Sequence, residues 1–114
     1  MEKEILKELP ACPVETTLTL ISDKWKVLIL RDLMLGTKRF GELKKSIGHV
    51  TQKVLTAQLR QMEESGLLTR KVYAEVPPRV EYTLTELGYS LKPVLDAMRV
   101  WGEGYKNRLE GKAE

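Results

Sequence analysis

Residues 39–84, RFGELKKSIGHVTQKVLTAQLRQMEESGLLTRKVYAEVPPRVEYTL, decide the fold. The first part predicts a helix from Arg39 to Ile47, with Phe40, Leu43 and Ile47 at spacings of three and four. Gly48, His49 and Val50 make a tight turn. Thr51 then caps a longer helix, which runs to about Ser65 and is ended by Gly66. A helix, a short turn and a longer helix form the helix-turn-helix layout. Leu67 to Tyr73 reads as a strand, broken by Ala74-Glu75-Val76-Pro77-Pro78. In Arg79 to Leu84, Val80, Tyr82 and Leu84 alternate with Arg79, Glu81 and Thr83, giving a second strand. A β-hairpin directly behind a helix-turn-helix is a wing.

On the amino-terminal side, Cys12-Pro13-Val14-Glu15 opens a helix. Pro13 suits the first helical position and Glu15 the positive dipole end. This helix is predicted to reach about Ile21, with Val14, Leu18 and Ile21 inward. A second helix spans Lys24 to Leu35, with Trp25, Leu28, Ile29 and Leu33 in helical spacing and Gly36 as its stop. Beyond the wing, Thr85 caps a last helix to about Leu109. Leu87, Leu91, Val94, Met98, Trp101 and Tyr105, spaced by 4, 3, 4, 3 and 4, form a coiled-coil-like seam on it. Pro93 kinks or restarts that helix. The fold class is α+β and mostly helical: a winged helix-turn-helix with a carboxy-terminal dimerisation helix. One domain is expected over 1–114, with 37–83 as the DNA-reading segment flanked by the helices of 12–35 and 85–109.

Charge points to the same window. Residues 37–80 hold nine Lys/Arg against four Glu, whereas 1–36 and 81–114 each hold five basic against six acidic residues. A basic centre between near-neutral ends implies a polyanionic partner. The 42% hydrophobic and 31% charged composition is that of a soluble globular chain, and no apolar run reaches the ~18 residues needed to span a bilayer. The start, MEKEILKELPAC, lacks a signal-peptide layout, and a single cysteine makes no intrachain disulfide. Both favour the cytoplasm and give no sign of a membrane partner.

On the fourth helix, Leu55, Leu59 and Met62 anchor one side, while Gln52, Lys53, Thr56 and Arg60 occupy the other. The first turns of a recognition helix enter the major groove. There Lys meets guanine O6/N7, Gln reads adenine and Thr donates to bases or phosphates. The N–H groups following Thr51 hold a phosphate. Arg79, at the base of the wing tip, reaches the neighbouring minor groove or its phosphates. Lys38 and Lys44, with Lys45, either meet phosphates or solvate the third helix. Double-stranded DNA is the implied partner. A winged helix used only for protein contacts is the alternative, but its docking face would be apolar where this one is basic. No catalytic triad, phosphate loop or paired acid cluster is present, so no catalytic residue is assigned and no enzyme activity or cofactor is expected. His49 serves the turn and, with one cysteine, supplies no metal-ligand set.

The stretches CPVETTLTLISDKWKVLILRDLMLGTKRFGELKKSI, TQKVLTAQLRQMEESGLLTRKVY and EVPPRVEYTLTELGYSL, which span most of the chain, resemble the HxlR-type winged helix regulators. The resemblance implies a homodimer built from the first and last helices, with 12–35 and 85–109 as dimerisation helices, bound to inverted-repeat operators as a repressor or activator. It implies nothing about the effector's identity. Regulators of the MarR or ArsR kind lack this combination of amino-terminal and wing signatures.

Cys12 stands at a helix N-cap, an environment of the kind that makes thiols reactive. In some members of the resembled family the matching cysteine senses oxidants or electrophiles, including through disulfides between subunits. Glu15, one turn on, opposes a thiolate, and a small packed hydrophobe is the other reading. Trp25 and Trp101 read as core or dimer-seam residues, or as the lining of an effector pocket.

Overall fold

The computed structural model describes residues 9–111. Residues 1–8, examined above for a targeting signal, lie outside that range. Helix α1 spans Pro13–Ile21, α2 Lys24–Leu33, α3 Phe40–Ile47 and α4 Gln52–Glu64. A two-residue strand β1, Lys38–Arg39, precedes α3. Strands β2, Leu68–Tyr73, and β3, Arg79–Leu84, follow α4, and then come α5, Glu86–Tyr89, and α6, Lys92–Leu109. This is a winged helix-turn-helix architecture, with the expected carboxy-terminal helix present.

The core is built where α2, α3, α4 and the hairpin meet. Ile29, Leu30 and Leu33 of α2, Leu43 of α3, Leu55 and Met62 of α4, and Leu67 are fully enclosed. The hairpin is antiparallel and in register from Leu68 opposite Leu84 to Tyr73 opposite Arg79. β1 pairs with the outer side of β3, Lys38 opposite Tyr82 and Arg39 opposite Glu81, giving the sheet order β1-β3-β2. Arg39, expected as the first residue of the third helix, is instead the N-cap of α3 and the last residue of β1. Two residues cannot display alternation, so only the pairing with β3 defines this strand.

The ends of α4 are tightly specified. Thr51 Oγ1 accepts from the N–H of Val54 at 3.1 Å. At the other end, Leu67 N–H donates to Met62 O at 2.9 Å and Gly66 N–H to Glu63 O at 3.0 Å, a Schellman closure. Gly66 takes the positive φ (80°) which that closure needs. Thr85 then ties the wing back to this corner, donating from Oγ1 to Gly66 O at 2.6 Å and from N–H to Leu67 O at 3.0 Å.

Pro93 restarts the last helix, one of the two outcomes expected of it: α5 ends at Tyr89 and α6 begins at Lys92 with Pro93 in its first turn, because Pro93 offers no N–H and its ring disfavours an unbroken helix. The expectation for α1 changes. In α1 only Ile21 is buried. Val14 (68% exposed) and Leu18 (49%) do not face inward, since nothing in the described chain covers them. The radius of gyration, 16.2 Å, exceeds the ~13 Å of a compact chain near this length. Helix α6 accounts for this: it runs 18 residues and buries none of them.

Candidate nucleic-acid interface

Helix α4 sits on the core through Leu55, Leu59 and Met62. Its opposite side presents one open surface lined by Gln52, Lys53, Thr56, Ala57 and Arg60. The structure thus brings four of the expected side chains together, with the Thr51 cap beside them. Ala57, four residues beyond Lys53, also lines this surface and was not among the side chains expected there. The only signal was its spacing, because an alanine announces no chemistry.

Between α4 and the wing, Thr56, Leu59, Arg60, Glu63, Arg70 and Tyr82 border a second depression. Glu63 and Arg70 face each other across it at 3.6 Å. Burial keeps the Tyr82 phenol protonated above the ordinary tyrosine value of 10.0.

At the wing, Arg79 is held rather than free. One guanidinium nitrogen lies 3.1 Å from Glu75 and another 3.8 Å from Glu81, and the group stacks 4.0 Å over the Tyr73 ring. Lys71 lies over the same ring at 4.9 Å. Acidic neighbours on both sides and the aromatic face compete with DNA for this guanidinium, and Arg79 Nε is buried with no hydrogen-bond partner among the described residues. Lys38 and Lys44 are both half-buried, the first within β1 and the second in the last turn of α3, whereas Lys45 is exposed.

Behind α4, the ammonium of Lys26 is buried. Its Nζ donates to Asp23 Oδ2 at 3.1 Å and to Gln58 Oε1 at 2.7 Å. Asp23 is also the N-cap of α2, accepting from Lys26 N–H at 3.0 Å. Burial pushes the Asp23 carboxyl up, but the bonds from Lys26 outweigh this and hold it below its ordinary value of 3.8.

Cys12 is exposed at the N-cap of α1. Among the residues expected to form a dimer seam, Leu87, Val94, Met98, Trp101 and Tyr105 all expose a third or more of their surface, and Trp101 stacks on Tyr105 with centroids 5.4 Å apart. Leu91 differs: it is half-buried and packs against the chain's own core, because it falls in the turn between α5 and α6. An apolar groove with Val27, Leu28, Met34, Leu35, Leu95 and Met98 in its walls runs between α2 and α6. Trp25 meets His49 edge-on at 5.4 Å and carries Lys24 over its ring, so it closes the helix-turn-helix turn. No described helix is long and apolar enough to cross a membrane, and no metal-ligating cluster occurs among the described residues.

The fold and the basic face of α4 define a DNA-binding helix-turn-helix regulator. Comparison with known proteins makes this more specific: residues 20–110 match the HxlR-like helix-turn-helix family, and the chain belongs to it. It is 50% identical over 103 residues, 90% of this chain and 80% of the relative, to the HTH-type transcriptional regulator YdeP of Bacillus subtilis. Among solved structures it resembles the redox regulator HypR. The reduced form matches with a TM-score of 0.81 at 44% identity, covering 88% of this chain and 99% of the other. The oxidised form matches with a TM-score of 0.76 at 47% identity, covering 81% and 95%.

Proposed function

We propose that the protein is a cytoplasmic, sequence-specific regulator that binds an inverted-repeat operator as a homodimer. The observation that carries this reading is the single surface shared by Gln52, Lys53 and Thr56, in the first two turns of α4, and Arg60 one turn further on. Gln52, Lys53 and Thr56 read base edges, and Arg60 reinforces them on the backbone. Thr51 and the amides after it, with Lys38 and Lys44, hold phosphates. The acid pairs around Arg79 shift the wing's contribution toward Lys71, with Arg79 reaching a minor groove only by leaving Glu75 and Glu81. Dimerisation uses the apolar row Leu87, Val94, Met98, Trp101 and Tyr105, next to Leu91, together with the α2/α6 groove. A row this apolar on an 18-residue helix with no buried residue is the kind of surface that a partner covers.

A gel-shift series on the DNA upstream of the protein's own gene tests the reading. Binding with half-sites about one helical turn apart, ~34–36 Å, is expected. If about six to ten phosphates are neutralised, log affinity falls with log salt at a slope near −5 to −9. A flat salt response would sink the proposal.

Redox control through Cys12 is the finer reading, supported by the exposed thiol and by the likeness to a named redox regulator. On a non-reducing gel, diamide should convert the protein to a disulfide-linked dimer, and Cys12→Ser should abolish both that band and the change in DNA binding. A Cys12→Ser protein that still responds to oxidant rules the sensor out.

A further inference from the structure

Lys26 is a cation placed where cations are costly. Burial strips an ammonium of water and is tolerated only when fixed partners replace it. Here the partners come from two elements: Asp23, which caps the same helix, and Gln58, 32 positions away on α4. Gln58 stands on the flank of α4, between the buried side of Leu55, Leu59 and Met62 and the reading side of Lys53, Ala57 and Arg60. Packing of the leucines and the methionine is non-directional and leaves α4 free to rotate by small angles about its axis. The 2.7 Å bond from a charged donor to Gln58 Oε1 is short and directional. On the opposite flank, Glu63 and Arg70 are separated by 3.6 Å and both are largely exposed, so that pair is a weak restraint.

We infer that Lys26 is a positioning residue for base readout: its buried ammonium, oriented by Asp23, sets the rotation of α4 through Gln58 and never touches DNA. The inference rests on the reading of α4 as a sequence-specific recognition helix. Bidentate base contacts tolerate only about 0.5 Å and 10–20° of misplacement. Loosening α4 about its axis therefore harms discrimination between sequences more than the backbone attraction that all sequences share.

The test uses the full-length protein, a duplex enriched by the wild type from a random-sequence pool, and an unrelated duplex of equal length. Lys26→Met keeps the stem and removes the charge, while Gln58→Leu removes the acceptor without disturbing the Lys26–Asp23 pair. Each is expected to weaken binding to the enriched duplex about tenfold, the scale of one charge-assisted hydrogen bond. Binding to the unrelated duplex and the salt slope should stay at wild-type values, and the double variant should be no worse than Lys26→Met. If Lys26→Met does not fold, Gln58→Leu alone decides the matter on the same two duplexes.

Wild-type discrimination in Gln58→Leu overturns the inference, as do additive losses in the double variant. A salt slope smaller by about one in Lys26→Met also overturns it, because the ammonium would then be neutralising a phosphate. A pool from which the wild type enriches nothing overturns the sequence-specific reading and this inference with it, whereas an enriched duplex with unaffected variants overturns the inference alone.

Discussion

Helices α4 and α6 are both amphipathic, yet they end in opposite situations. Helix α4 presses Leu55, Leu59 and Met62 into the core until almost nothing of them is exposed. Helix α6 is five residues longer and buries none, leaving Trp101 at 71% and Met98 at 48% exposure. The difference shows that an apolar stripe reveals that a helix needs a partner, not where the partner is. The partner of α4 lies inside the chain, so its outer face is free to read a ligand. Nothing in the described chain covers the apolar row of α6, which supports the proposal that it is a dimer helix rather than a core helix.

Four experiments probe this contrast. Leu59→Ala should cost about 2–5 kcal/mol by the lost burial and the cavity it leaves. Urea titration would show it as a lower midpoint at an unchanged slope. An unaffected midpoint would mean that α4 is not held by the core. Trp101→Ala should leave the folded state of dilute protein intact while raising the dimer dissociation constant by at least about thirtyfold, the scale of an interface anchor. Sedimentation equilibrium reads this directly, and a wild type that stays monomeric at every concentration would remove the contrast between the helices. Thr51→Ala should cost about 1 kcal/mol of stability through the lost cap, and its effect on DNA affinity should exceed what Ser at the same position causes.

The smallest effect is on alkaline stability. Tyr82, buried beside α4, keeps its proton above 10.0 in the fold, whereas the unfolded chain ionises near that value. Its contribution is therefore fully present below pH 10.0 and is lost as pH rises through the folded-state value. Tyr82→Phe should make the fall in stability above pH 10 shallower in urea titrations, and an unchanged slope would show that the phenol gains water freely.

Much of this was legible in the chain because it is local. The cap at Thr51, the turn at Gly48, the closure at Gly66 and the alternation of Val80, Tyr82 and Leu84 each depend on neighbours a few positions away. The outward side of α4 was legible for the same reason: helical period alone separates Gln52, Lys53 and Thr56 from Leu55 and Leu59. Val14 and Leu18 misled because their spacing signals an apolar face but not whether this chain covers it. The ties of Arg79 to Glu75, Glu81 and the Tyr73 ring were not legible, because they depend on how the wing tip closes.

Caps, turns and periodicity act over a few residues, and through them the chain alone specifies the helix-turn-helix, the wing and the side chains that face outward from α4. Long-range packing settles the rest: that β1 exists, that Leu91 packs on the core while Leu87, Val94, Met98, Trp101 and Tyr105 stay exposed, and that Lys26 reaches Gln58 behind α4. Each of these depends on which distant segments meet when the core closes, and a contact between residues 26 and 58 leaves no mark on the spacing of either.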